Sequence, residues 1–280
     1  MPIFQLIFTL KKHLTYFLCN ITVDTLITNK MKAFFLLLLV IFLVPARLSA
    51  QNIDKSLDDE IVYYSEKSLG LKLHTQGYGI NYNIGKIKDI YEKTFWQIEF
   101  QEIKHPKEGR RQSNIFSQNQ TLRNYIFGKK NNFYNLNLVR AKYKTISGRG
   151  RKSPVAISYT YKGGLSLGLL KPYYLRLRYG PNDFRDEKYS DSNADIFLNE
   201  NYIYSHAGLS RGLSEIKLYP GLVGKAGFMF DWGSEPDEVK AIEVGVMLNV
   251  YPQKVSLMAN NPDQRIFTNF YLCLLLGSRK

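Results

Sequence analysis

Few residues in this chain stand where chemistry could be done. The sharpest pairing is His206-Ala-Gly-Leu-Ser210, a base four residues from a hydroxyl nucleophile. Such a pair needs a third group to orient the base. No Gly-x-Ser-x-Gly elbow is present, and spacing singles out no orienting carboxylate. A lipid hydrolase or acyltransferase is therefore a third-ranked expectation, and no catalytic residue is assigned. His74, His105 and His206 have no His or Cys neighbour at metal-ligand spacing, so neither a metal nor a cofactor is expected. Gly148-Arg-Gly150 imitates a phosphate loop, but no helical pattern follows it to supply the N-terminus that such a site requires. The other residues with chemical potential are charged or polar groups on alternating segments: Glu99, Lys162, Lys225, Asp231, Glu243 and Asn249. In a wide barrel such groups would select ions or solutes. In an eight-stranded barrel, whose interior is just wide enough for side chains, they would pair and plug it. The second reading is the expected one.

The elements carrying these groups alternate with period two. From Leu222 to Tyr251 two limbs flank Gly-Ser-Glu-Pro-Asp237. Phe228 and Phe230 on the first limb, and Ile242, Val244, Val246 and Leu248 on the second, form one greasy face, while Lys225, Asp231, Glu243 and Asn249 lie on the other. Side chains point alternately to the two faces of a strand, so this is a hairpin with one apolar face. The same alternation runs through Leu71–Lys86, Glu92–Ile103, Phe133–Tyr143, Pro154–Leu169, Tyr173–Tyr179 and Phe267–Leu276. The polar faces are rich in Gly, Asn and Gln more than in Lys, which suits a hydrogen-bonded lumen. The apolar set is then expected to face lipid, and the chain to be a single antiparallel up-and-down transmembrane β-barrel of about eight strands (8–10). The competing expectation is a soluble periplasmic or secreted β-sandwich in which the greasy faces meet in a core.

Composition and termini fit export. The chain has 280 residues, formal charge +14, and 20 Tyr, 17 Phe and 2 Trp. Met31-Lys32 precedes twelve apolar residues, Ala33–Val44, then Pro45 and Leu48-Ser-Ala50. That is the layout of a cleaved signal peptide, too short for a bilayer span. The expected organisation is a spurious extension at 1–30, a signal peptide at 31–50, a solvated lead-in at 51–70 and the barrel at 71–280. With Cys19 removed, Cys273 alone remains, so no intrachain disulfide is expected. Polar stretches at Lys104–Gln120 and Gly180–Glu200 read as long exposed loops, Asn201–Pro220 is ambiguous, and Gln253–Arg265 reads as a polar loop.

Four segments carry a resemblance: Leu48-Ser-Ala-Gln51, Tyr125-Ile-Phe-Gly-Lys-Lys-Asn-Asn-Phe133, Gly168-Leu-Leu-Lys-Pro-Tyr-Tyr174 and Lys240-Ala-Ile-Glu-Val-Gly-Val246. Together the chain resembles, over roughly residues 60 to 280, a family of small bacterial outer-membrane β-barrel proteins without an assigned activity. The resemblance implies a Gram-negative outer-membrane location and a barrel fold and assigns no reaction; contact with outer-membrane lipid, handling by the barrel-assembly machinery and a non-enzymatic role are expected. Binding, adhesion or envelope integrity through the long loops is the expected role. No nucleic-acid partner is expected, and no external ligand is named. The ending Leu276-Gly-Ser-Arg-Lys280 departs from the terminal aromatic residue common in such barrels.

Overall fold

In the computed structural model, alternation in the sequence becomes a closed wall. The structure describes residues 65–87, 92–113, 115, 124–148, 155–181, 183–208, 210–233 and 237–280. The expected extension, the signal peptide and residues 51–64 of the lead-in lie outside the described residues, as does most of the basic turn 147–153. The strands, in chain order, are β1 Ser65–His74, β2 Gly77–Ile87, β3 Glu92–Ile103, β4 Arg110–Gln112, β5 Asn124–Ile126, β6 Asn131–Ser147, β7 Ala156–Pro172, β8 Tyr174–Arg178, β9 Phe184–Lys188, β10 Ile203–His206, β11 Lys217–Asp231, β12 Glu238–Val255 and β13 Gln264–Arg279.

Eight of these close a barrel in the order β1-β13-β12-β11-β7-β6-β3-β2. All its pairings are antiparallel, and the last strand meets the first, with Leu69 opposite Leu276 and Leu73 opposite Leu272. Closure leaves this sheet no unpaired edge. The stagger can be read from the register. One way round, Lys72 leads to Gly79, Gln101 and Asn135. The other way, it leads to Cys273, Glu243, Met229, Ser158 and Thr145. The two routes meet on β6 ten residues apart, Asn135 against Thr145. A stagger of this kind obliges the strands to tilt, by roughly 35–45° in barrels of this type.

The faces are inverted relative to a water-soluble protein. Glu99, Gln101, Asn135, Asn137, Glu243, Asn249 and Asn269 are buried inside the barrel. Leu71, Leu73, Leu165, Leu222, Ile266 and Leu272 are exposed on its outer wall, Leu73 at 65%. The expected single antiparallel barrel is present and the competing sandwich is overturned: the greasy faces do not meet across a dry core. Along β13 the outward residues Ile266, Phe270, Leu272, Leu274 and Leu276 form one apolar column. At ~3.3 Å per residue and that tilt, the column is on the order of 25 Å tall.

Several local readings are corrected. The alternation from Leu71 to Lys86 is two strands, not one, and β1 begins at Ser65, inside the expected lead-in. The reversal at Thr75-Gln76 contains none of the usual turn residues. It depends on Gly77, whose φ of 153° suits glycine, and where a Cβ would lie 2.2 Å from the Glu102 carbonyl oxygen. Tyr173–Tyr179 contributes β8 to a separate sheet, ordered β10-β8-β9, and not to the barrel. Gly180–Glu200 is not a plain loop: it holds β9 and a helical turn, Ala194–Phe197. Asn193 organises it, accepting from the Ser190 amide at 2.9 Å and donating to Glu187 at 2.9 Å. The connection from Ser256 to Asp263 is not wholly polar either, since Leu257, Met258 and Ala259 are buried.

The facing of the hairpin leads to a paired test. Val246→Arg puts a charge on the outer wall and should cost about 2–4 kcal/mol in a bilayer if that wall faces lipid near its midplane. Gly245→Ala acts from the inside, because its Cβ would lie 2.4 Å from the Ala226 carbonyl oxygen and 2.9 Å from the Tyr271 hydroxyl. Urea unfolding in bilayers and in detergent should separate them: the arginine penalty shrinks in micelles, while the alanine penalty persists in both.

Candidate functional site: the barrel interior and its long-loop cap

Because β3, β7, β11 and β12 each turn one polar series inward, charges from separate hairpins converge on the axis. Three ionic groups result. At the end of the barrel where β1 begins and β13 finishes, Glu66 accepts from Lys93 Nζ at 2.9 Å and from Arg279 Nε at 3.0 Å, and Arg279 also reaches Asp231. Further along, Glu243 accepts from Lys162 Nζ at 2.7 Å, Thr160 Oγ1 at 3.0 Å and the Tyr271 hydroxyl at 2.7 Å. The third group is centred on Glu99, which takes Lys72 Nζ at 2.7 Å, Lys225 Nζ at 2.5 Å and Asn137 Nδ2 at 2.9 Å. Ions held this deep avoid a large desolvation cost only when each is paired and hydrogen-bonded.

Of the residues singled out by sequence, Glu99, Lys162, Lys225, Asp231 and Glu243 all enter these groups. Asn249 points inward too, but neither its Oδ1 nor its Nδ2 has a protein partner. Phe228, Phe230, Val246 and Leu248 are exposed, and Ile242 and Val244 half-buried, on the opposite face. Cys273 is a buried thiol that accepts a hydrogen bond from Asn81 Nδ2 at 3.1 Å. Sequence reasoning did not single out Lys72, Glu66, Asn137, Tyr271 or Arg279. The signal for Lys72 was present, since it sits between Leu71 and Leu73 in an alternating run. Arg279 and Glu66 had none, because their pairing depends on the first strand meeting the last.

The end carrying the long connections is closed. Phe133, Tyr251 and Phe267 pack with ring centroids 5.3 to 6.0 Å apart, among Ile103, Leu170, Val255 and Leu257. The 256–263 connection lies across this mouth, its Leu257 carbonyl accepting from Lys130 N at 2.8 Å. Lys129 Nζ meets Glu108 Oε2 at 2.6 Å, both side chains buried. Beyond them, β8, β10, β5 and the helical turn Ala194–Phe197 build a second small core from Leu175, Leu177, Ile203, Tyr125 and Phe197. Ser113 Oγ donates to the Ile203 carbonyl at 2.7 Å, and the Tyr173 hydroxyl accepts the Ile126 amide at 3.1 Å, which ties β4 and β5 to that core. On its rim Arg176 donates to Asp186 at 2.7 and 3.1 Å, which holds the Asp186 carboxyl below the usual range. Burial pushes the His105 imidazole in the 104–109 turn down. His206, the last residue of β10, and Ser210 are both exposed, and among the described residues no carboxylate is hydrogen-bonded to the imidazole. Among the described residues no group of three or more His, Cys, Asp or Glu could hold a metal ion.

Two outcomes follow. Glu243→Gln leaves Lys162 without its counter-charge and should cost about 3–5 kcal/mol, whereas Lys162→Met with Glu243→Gln should recover most of that loss; urea titration of the folded barrel reads both. Asp186 is depressed in the folded state, so its contribution is present above its ordinary value of 3.8 and is lost as pH falls through the lower folded value. Amide exchange in β8 and β9 should therefore accelerate in acid below that value, and Asp186→Asn should show the faster exchange at neutral pH.

No protein-family model matches the chain, and no curated protein matches it. Among solved structures it is similar to neisserial surface protein A, at 8% identity over 78% of this chain and 97% of that one, with a TM-score of 0.36. It is likewise similar to Ail, the attachment invasion locus protein of Yersinia pestis, at 10% identity over 79% of this chain and 100% of that one, with a TM-score of 0.36. The structure of Ail with the heparin analogue sucrose octasulfate gives 10% identity, the same coverage and a TM-score of 0.34.

Proposed function

We propose that this chain is a bacterial outer-membrane β-barrel that works through its long-loop end, in binding, adhesion or envelope integrity, and that it is neither an enzyme nor a pore. The inverted wall carries this reading. An apolar column on the order of 25 Å tall matches the band that transmembrane barrels present to lipid, and a protein with Leu73 and Leu165 more than 60% exposed would aggregate in water. Both ends of the described chain lie at one end of the barrel; the two longest connections, 104–130 and 173–216, lie at the other, together with the Thr75-Gln76 turn and the 256–263 connection. In such barrels the short turns face the periplasm and the long loops the exterior. Outer-membrane lipid is then the partner of the outer wall, and the barrel-assembly machinery the partner in biogenesis.

Two features argue against conduction: the three ionic groups across the interior and the aromatic layer over one mouth. The cap, by contrast, has its own packed core, which a mere tether between strands does not need. It also presents exposed Lys107, Arg110 and Arg111. A basic strip of this kind favours acidic groups on a partner surface.

The reading is tested by trimming. Replacing residues 174–216 with a short turn should leave a barrel that needs detergent for extraction and shows heat-modifiable gel migration. A deletion strain complemented with that trimmed barrel should keep the defect in surface adhesion or detergent resistance that full-length protein repairs. Full rescue by the trimmed barrel would overturn the assignment of function to the cap. In planar bilayers the full chain should give no steady conductance. His206→Ala should leave the lipid profile of the envelope unchanged by mass spectrometry.

A further inference from the structure

Between the Glu99 group and the aromatic layer lies a level of the interior that the ionic pairs do not use. The ten-residue stagger over eight strands means that a horizontal level climbs by about one and a quarter residues per strand. Allowing for this climb, His74, Gln101, Asn135, Ser166, Asn249 and Asn269 fall at one height around the wall. Phe133, Tyr251 and Phe267 stand just above them, Lys72, Glu99 and Lys225 just below. Polar atoms without a protein partner concentrate here: Gln101 Nε2, Asn269 Nδ2, and both amide atoms of Asn135 and of Asn249. Gln101, Asn135, Asn249 and Asn269 are all 0% exposed. Buried amides that satisfy nothing in the protein cost free energy unless something else meets them.

The orientation of two of these amides is set by their own partners. Gln101 Oε1 accepts Lys72 Nζ at 2.6 Å, which turns its Nε2 away as a donor. Asn269 Oδ1 accepts the Thr75 hydroxyl at 2.8 Å, which leaves its Nδ2 likewise. Asn135 and Asn249 can present N–H groups without losing any bond. Asn137, with Nδ2 given to Glu99, offers a single acceptor. The level is therefore rich in donors. Its floor is also cationic: Lys72 and Lys225 share the one carboxylate of Glu99, while the neighbouring Lys162 is matched by Glu243. A buried excess of one positive charge is costly in a low-dielectric interior, and an anion beside it would lower that cost.

We infer that this level is a binding site for a small monovalent anion of halide size, held by the amide N–H groups of Gln101, Asn269, Asn135 and Asn249 above the paired lysines. The ion would lock the interior of the closed barrel and couple its stability to the halide concentration outside. Bromide is the probe. In urea titrations of the detergent-solubilised full chain, replacing isethionate by bromide at constant ionic strength should stabilise the fold. Above half-saturation, each tenfold rise in bromide should raise the folded-to-unfolded ratio by about tenfold. Crystals grown in bromide should show one anomalous peak among the named amides. Lys225→Met removes the excess charge and should flatten the bromide dependence. Should that variant fail to fold, Asn249→Leu, a near-isosteric change at a side chain with no bond to lose, should weaken the dependence in a barrel that still folds. A wild-type titration indifferent to bromide, together with no anomalous peak at this level, would overturn the site.

Discussion

The pairing of β13 with β1 is the interaction on which the rest depends. It turns a meander with two open edges into a wall in which every barrel strand has a neighbour on both sides. A strand edge exposed to hydrocarbon would leave a row of N–H and C=O groups unsatisfied, at several kcal/mol each. Closure also fixes the stagger, and the stagger fixes which side chains share a level. Glu66 meets Arg279, and Lys72 shares a level with Glu99 and Lys225, only because the ring is closed with that offset.

Closure of a small ring creates a second constraint, an interior too narrow to stay open. The chain fills it in layers: ionic groups near the termini and at mid-height, then amides, then a lid of aromatic rings. Glycines make some of this filling possible. The Phe95 ring occupies the space where a Cβ on Gly85 would stand, 2.0 Å away. Such an interior coheres through ion pairs and hydrogen bonds together with an apolar cluster that includes Phe95, Val139, Tyr143, Met229, Met247 and Leu275. It can remain polar because the outer face carries the apolar residues.

The cap follows a different logic. Its buried side chains, Tyr125, Leu175, Leu177, Phe197 and Ile203, come from two separate connections and pack as an ordinary hydrophobic core away from the barrel wall. Around them the rim is charged, with Arg111 paired to Glu200 and stacked on Phe127. A small globular core set on the end of the wall holds the charged rim in place.

The sequence by itself determined the architecture of the wall. Period-two alternation over segments of this length, with Gly, Asn, Gln and paired charges on one face and Leu, Ile and aromatics on the other, fits a closed sheet with an inverted interior. It placed Glu99, Lys162, Lys225, Asp231 and Glu243 on the polar face, but not their companions Lys72, Glu66 and Arg279. It did not reveal the hairpin at Thr75-Gln76, because the turn residues themselves are silent and Gly77 does the work one position later. Nor did it reveal the cap, whose five core residues are spread from Tyr125 to Ile203 among polar neighbours with no period to read. Alternation tells each strand which way its side chains point, but not the offset between strands. That offset, and with it the partner of every buried charge and the ring of unpaired amides, was decided only when the last strand closed on the first.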